Sequence, residues 1–266
     1  VTVIDSIAPT ASAQNVTVYL DGTGNALITT ADIDNGSSDA CGLSNLSLDI
    51  SSFTCADVGA NTVTLTATDA NSNASTATAT VTVIDSIAPT ASAQNITVYL
   101  DGSGNATITA ASVDNGSADN CGTTTLSIDI SSFTCNEVGN NTVTLTATDA
   151  NNNASTATAT VTVIDSIAPT ASAQNVTVYL NAAGTASITT SDIDNGSADN
   201  CGTTTLSIDI SSFTCNEVGN NTVTLTATDA NSNASTATAT VTVIDSIAPT
   251  ASAQNVTVYL DGTGNA

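Results

Sequence analysis

Val, Leu and Ile alternate with Thr in short runs, and clusters of Asp, Asn, Gly and Ser separate the runs. A two-residue period of this kind predicts strands with one buried face. From Asn15 to Leu20, Val16, Val18 and Leu20 alternate against polar neighbours and Tyr19, which predicts a strand. Asp21-Gly22-Thr23-Gly24-Asn25 predicts a turn. Ala26 to Ile33 is expected to be a second strand, followed by a polar loop from Asp34 to about Asn45. Leu46, Leu48 and Ile50 predict a third strand, and Phe53 to Gly59 reads as irregular. Asn61 to Thr68 is a strand with Val63, Leu65 and Ala67 on one face. Asp69-Ala70-Asn71-Ser72-Asn73 is a tight turn, and Ala74 to Ile84 is a long, Thr-rich last strand. Tyr19 and Phe53 are read as packing groups rather than ligand platforms.

The whole pattern recurs every 80 residues, with VTVIDSIAPTASAQN starting at Val1, Val81, Val161 and Val241. A fixed period indicates an array of similar modules, and the chain reads as a window on a longer one. Short strands at regular spacing with polar turns predict an all-β chain of tandem immunoglobulin-like antiparallel β-sandwiches. Residues 1–5 read as the last-strand end of a preceding repeat. Repeats at 6–85, 86–165 and 166–245 follow, and 246–266 reads as the start of an incomplete fourth. One or two strands cannot fold alone, so that last segment needs the rest of its module. The junction Asp85-Ser86-Ile87-Ala88-Pro89 is short and contains proline, which predicts stiff coupling between modules.

Charge changes the picture most. The chain has no Lys, Arg or His, against 24 Asp and Glu, for a formal charge of −24. No side-chain salt bridge can form, so neutralisation falls to dissolved or bound cations. Nothing here neutralises phosphate, which argues against nucleic acid and against an anionic membrane surface. No apolar run reaches membrane-spanning length. No His, Lys or Ser–His set is present, and the carboxylate pairs recur in every module. That suits a structural metal better than an acid/base pair, and the chain is read as not an enzyme.

Each repeat has two cysteines: Cys41 and Cys55, Cys121 and Cys135, Cys201 and Cys215. One pair per module favours disulfides and an oxidising, extracellular setting. Closing a loop of that size stabilises by about 3 kcal/mol. Zinc is disfavoured, because two Cys without His make half a site. If residues 46–50 cross the sandwich, however, Cys41 and Cys55 lie near opposite poles. Either the chain doubles back between them, which is the favoured reading, or Cys55 pairs with Cys121 across the junction.

Strand direction places the acids. The chain exits at the C-terminal pole, so the last strand begins at the N-terminal pole. The preceding turn therefore sits there with the entering linker. If the second strand runs upward, the loop with Asp34 and Asp39 ends there too. Each junction is then expected to gather four Asp: Asp5, Asp34, Asp39 and Asp69 in the first repeat. The second gathers Asp85, Asp114, Asp119 and Asp149, and the third Asp165, Asp194, Asp199 and Asp229. Four carboxylates without a basic partner repel, and Ca2+, which takes six to eight oxygen ligands, resolves that repulsion. The turns add Asn71 and Asn73, Asn151 and Asn153, and Asn231 and Asn233, since Asp-x-Asn-x-Asn has the alternate spacing of a calcium loop. Asp32-x-Asp34-Asn35-Gly36 resembles one as well. Asp and Asn also favour plain turns, so solvated acids are the competing reading. Asp101 is replaced by Asn181 and Asp32 by Ser112, so neither is a ligand required in every repeat.

VTVIDSIAPT at the junctions, DNCG at Asp119–Gly122 and Asp199–Gly202, and TVTLTATDAN near the end of each module carry a resemblance. The chain resembles the HYR-like and bacterial immunoglobulin-like repeats of giant surface adhesins exported by the type IX route. Repeat 1 departs from the pattern at Asp39-Ala40-Cys41-Gly42, where Ala replaces Asn. The resemblance implies an extracellular place on a bacterial cell surface. It also implies that Ser6, Ser86, Ser166 and Ser246, each in Asp-Ser-Ile, are candidate O-glycosylation sites. The expected role is an adhesin stalk, stiffened by interdomain Ca2+ and intradomain disulfides, that presents a distal binding tip. Its expected partners are neighbouring repeats and possibly identical chains in a fibre. A laterally assembled multi-chain filament and a glycan-binding repeat are the alternatives; only seven aromatics count against the latter.

Overall fold

A computed structural model describes residues 1–266. In the first repeat the strands are β1 (Val16–Tyr19), β2 (Asn25–Leu27), β3 (Leu43–Leu48), β4 (Ser52–Thr54), β5 (Gly59–Asp69) and β6 (Ala74–Ile84). A helical turn, α1 (Thr30–Ile33), follows β2, and a 3-10 turn spans Cys55–Asp57. A four-stranded sheet in the order β1-β6-β5-β3 faces the two-stranded ribbon β2-β4. The same architecture recurs in the other repeats, so the chain is all-β and built from three sandwiches. The chain divides into two compact units. One comprises Val1–Tyr99 with Ala106–Ile164, the other Leu100–Asn105 with Asp165–Ala266.

Alternation builds the core. β5 and β6 pair antiparallel, with Val63 opposite Ala79 and Leu65 opposite Ala77. Val63, Leu65, Ala67, Val81 and Val83 are buried, while the threonines between them face outward. Phe53 of β4 plugs the space between the sheets with Leu20, Ile28 and Ile33. β1 runs parallel to β6, Val16 opposite Val81, so the large sheet is mixed rather than purely antiparallel. Both strands run away from the pole where the chain enters the module, and β1 pairs with the far end of β6.

The expected strand over 26–33 is shorter. It stops at Leu27 because Thr29 and Asp32 form a capping box, with the Thr29 N–H and hydroxyl donating to Asp32 Oδ2 at 2.7 Å. That box turns the chain into α1 and delivers Ile33 to the core. Within the expected irregular stretch, Ser52–Thr54 is a strand paired with β2. Phe53 packs as read, but Tyr19 does not. Tyr19, Tyr99 and Tyr179 are 61%, 61% and 62% exposed, because β1 alternation sends Val16 and Val18 inward and Tyr outward.

The linker is tied to the sheet at each entry. The Ser155 hydroxyl donates to the Pro89 carbonyl and accepts from Ala91 N–H at 3.0 Å. The Asn95 side-chain oxygen accepts from Thr160 N–H at 2.7 Å. Residues 246–266 form no strand, and Val256, Val258, Tyr259 and Leu260 are exposed.

Candidate metal centre at the module entry

At the second repeat, three carboxylates converge. Asp85 comes from the linker, Asp119 from the DNCG loop, and Asp149 from the turn between the strands Gly139–Thr148 and Ala154–Ile164. One oxygen of each lies within 4.8 Å of the others. Asp85 is 4% exposed and Asp149 6%, so two of these acids are almost out of water. The third repeat builds the same triad from Asp165, Asp199 and Asp229.

Local hydrogen bonds set each carboxylate. Asp149 Oδ1 accepts the N–H groups of Asn151 and Asn153, both at 2.8 Å. Asn153 Nδ2 donates to Asp149 Oδ2 at 2.8 Å and to the Asp85 carbonyl at 3.1 Å. Asn153 Nδ2 is thus a strut joining turn to linker. Asp85 Oδ1 accepts from Ile87 N–H at 3.1 Å, and Asp119 Oδ2 from Cys121 N–H at 2.7 Å. The other oxygens, Asp85 Oδ2 and Asp119 Oδ1, are buried with no hydrogen-bond partner, and so is Asn120 Oδ1. In the third repeat Asp165 Oδ2 and Asp199 Oδ1 are in the same condition. Asn231 and Asn233 repeat the backbone contacts to Asp229, and Asn233 Nδ2 reaches the Asp165 carbonyl at 3.1 Å.

A buried, unpartnered carboxylate oxygen is costly. Two of them sit on carboxylates grouped with a third, and the chain has no basic side chain to neutralise them; a bound cation would. All the donors are oxygens, which fits hard Ca2+ better than Zn2+. Asp85, Asp119 and Asp149 would hold it in the second repeat, and Asp165, Asp199 and Asp229 in the third.

The first repeat differs. Its group is Asp5, Asp39 and Cys41, without Asp69. Asp69 is set like Asp149, by Asn71 N–H, Asn73 N–H and Asn73 Nδ2. Desolvation opposes its charge, but the Asn73 amide and these N–H groups outweigh it and hold the carboxyl below its ordinary value. The Cys41 sulfur groups with Asp5 and Asp39, and hydrogen bonding to Asp5 together with the neighbouring negative charges pushes the thiol up. The loop acids Asp34, Asp114 and Asp194 stay outside the triads. Each instead accepts from a nearby serine: Ser37, Ser117 and Ser197 respectively. Ser6, Ser86, Ser166 and Ser246 are exposed.

The cysteines correct the favoured pairing. Because β3 crosses the sandwich, Cys41 and Cys55 sit at opposite poles. Cys55 is bonded to Cys121 of the next repeat, 66 residues on, with Cα atoms 5.2 Å apart. Cys135 and Cys201 are also disulfide-bonded, whereas Cys41 and Cys215 are free. Beside the bridge, Asn120 Nδ2 donates to the Asp21 carbonyl at 3.3 Å. Gly24 has φ +76°, and a Cβ there would stand 2.5 Å from Cys55 Sγ, so glycine is required both by backbone and by space. The sequence offers this pairing as the less favoured alternative, on the pole argument that makes intramodule pairing awkward.

Carboxylates elsewhere act as caps. Hydroxyl and backbone N–H of Thr29, Thr134 and Thr214 hold Asp32, Glu137 and Glu217 below their ordinary values. The backbone N–H groups of Thr64, Thr144 and Thr224 do the same for Asp49, Asp129 and Asp209. Depressed folded-state values mean stabilisation that is complete above the unfolded carboxylate pKa, about 4, and lost as pH falls through the folded values. The melting temperature in chelator is therefore expected to be level from about pH 8 to 5 and to fall below about pH 4. A maximum near pH 4 would show instead that relief of the net negative charge dominates.

No known family profile matches the chain, and no curated protein matches it. Among solved structures it is similar to the protocadherin γB4 extracellular domain, at 14% identity and a TM-score of 0.37 over 90% of this chain and 49% of that one. It thus spans about half of that structure. It is also similar to mouse cadherin-23 EC22-24 (14% identity, TM-score 0.38, 90% of this chain and 99% of that one). A third is Sidekick-1 immunoglobulin domains 1-5 (13% identity, TM-score 0.35, 90% and 58%). No helix is long and apolar enough to cross a membrane, which says nothing of a β-barrel.

Proposed function

We propose that the chain is a tension-carrying spacer of an extracellular adhesin, in which Ca2+ stiffens the module entries and the Cys55–Cys121 disulfide joins the first sandwich to the second. The observation that carries the reading is the pair of buried, unpartnered oxygens on Asp85 and Asp119 facing Asp149. A cation there ties the linker, the DNCG loop and the strand turn of one module together. The Cys55–Cys121 bridge fastens that same loop to the preceding module. Force along the backbone then meets a covalent bond and a metal site at the same place. Placement on a bacterial surface through type IX export, and a binding tip elsewhere in the polypeptide, rest on the resemblance of the repeat motifs.

Equilibrium dialysis with radiocalcium tests the metal. The oxidised chain is expected to take up two Ca2+, with dissociation constants of about 0.1–1 mM, the range of extracellular modules. Asp199→Asn is expected to leave one. No uptake at several millimolar Ca2+ removes calcium from the account.

A further inference from the structure

Three copies of one module provide a comparison inside a single chain. In the second and third, the cysteine of the Asp-x-Cys-Gly loop, Cys121 or Cys201, is disulfide-bonded, and the triad is complete. In the first, Cys41 is free, its sulfur stands with Asp5 and Asp39, and Asp69 is outside the group. The turn does not account for the difference, since Asp69 keeps the backbone contacts that Asp149 makes. What changes is what stands ahead of the module: Cys41 has no preceding module in this sequence to bond to, whereas the loop of the second repeat is anchored to one. Cys121 is held away on the preceding module by Cys55, and Asn120 Nδ2 adds its bond to the Asp21 carbonyl. Ala40 stands in the position of Asn120, so the first loop lacks that anchor as well.

We infer that the Cys55–Cys121 disulfide is a redox latch on the cation site of the second repeat. Building on the calcium reading above, the bridge holds Asp119 Oδ1 toward Asp85 and Asp149 and keeps a thiol out of the site. Reduction by a dithiol breaks the S–S bond. Two electrons and two protons pass to the cysteine sulfurs, and the reductant becomes a cyclic disulfide. The freed Cys121 thiol then takes the place that Cys41 occupies in the first repeat, where it donates to a linker carboxylate the cation needs. Groups that orient a metal's ligands are worth about 10–100-fold in affinity, and a tenfold effect is expected here. Linkage makes it reciprocal: Ca2+ shifts the disulfide equilibrium toward the oxidised form by the same factor.

The test compares the oxidised chain with a Cys55→Ser/Cys121→Ser variant by radiocalcium dialysis. The third-repeat triad keeps its own bonded Cys201 and serves as the internal reference. One site at the parent affinity and one about tenfold weaker supports the latch. Two sites of unchanged affinity overturn it while leaving the calcium reading intact. A parent that binds no Ca2+ overturns both. A second measurement needs no variant. The unmodified chain is equilibrated in glutathione redox buffer, with Ca2+ or with chelator, and the oxidised fraction at Cys55 and Cys121 is read by thiol labelling. A roughly tenfold shift toward the disulfide in Ca2+ supports the latch, and an unchanged ratio overturns it.

Discussion

Moving the oxidised chain from chelator into 10 mM Ca2+ is expected to raise the melting temperature of the second and third repeats by about 6–20 °C. A ligand that binds only the folded state stabilises by RT ln(1 + [L]/Kd), about 1.4 kcal/mol at a tenfold and about 2.7 kcal/mol at a hundredfold excess over Kd. A module of this size gains about 4–8 °C per kcal/mol. The first repeat supplies the contrast, because its group holds Cys41 in place of Asp69 and has no orphaned buried oxygen. Its transition is expected to stay near its chelator temperature, so a calorimetric trace that is compact in chelator spreads in Ca2+. Mg2+ is expected to do less, because it dehydrates reluctantly and demands near-octahedral geometry. Equal shifts in all three repeats would point to general screening of the charge of −24 rather than to built sites.

What was legible in the sequence follows from which interactions are local. β1, β5 and β6 could be read from alternation, since one face of each is buried and a register slip would expose it. The strand expected over 26–33 failed at Thr29, where a Thr-x-x-Asp capping box outweighed a β-rich composition. The pole argument is local geometry propagated along the chain. It anticipated a meeting of Asp85, Asp119 and Asp149. It could not exclude Asp114, whose loop position suits the site but whose two oxygens accept the N–H groups of Ser117 and Gly116. The disulfide was the least legible feature. The spacing of Cys41 and Cys55 matches a short loop, and only the crossing of β3 separates them. The bond to Cys121 is a property of how two modules meet, which no single repeat encodes. Tyr19 illustrates the same limit in reverse: its strand was correct, and the side it faces followed from the alternation.

Replacing one triad carboxylate by its amide is expected to change stability in opposite directions in the two media. In chelator, three carboxylates within 4.8 Å repel one another. At an effective dielectric constant of 20, a pair of unit charges at that outer separation costs about 3.5 kcal/mol before screening by salt. Asp119→Asn removes the charge while its carbonyl oxygen still accepts the Cys121 N–H that Asp119 Oδ2 accepts now. The introduced amide group replaces the buried, unpartnered Oδ1 and offers a donor to the similarly unpartnered Asp85 Oδ2. Both changes favour the folded state, so the second repeat is expected to gain about 1–3 kcal/mol and melt several degrees higher than the parent. In 10 mM Ca2+ the order reverses, because the site has lost an anionic ligand and the parent gains the binding energy that the variant lacks. Plain solvated turn acids predict no such crossing, only a small effect of one sign in both media. Asp119→Ala separates the contributions: it removes the repulsion but also the acceptor for Cys121 N–H, so it is expected to fall below Asp119→Asn in chelator and to match its loss in Ca2+. If Asp119→Asn is less stable than the parent in chelator as well, the carboxylate is held there by hydrogen bonding rather than by a cation, and the triad is not a metal site.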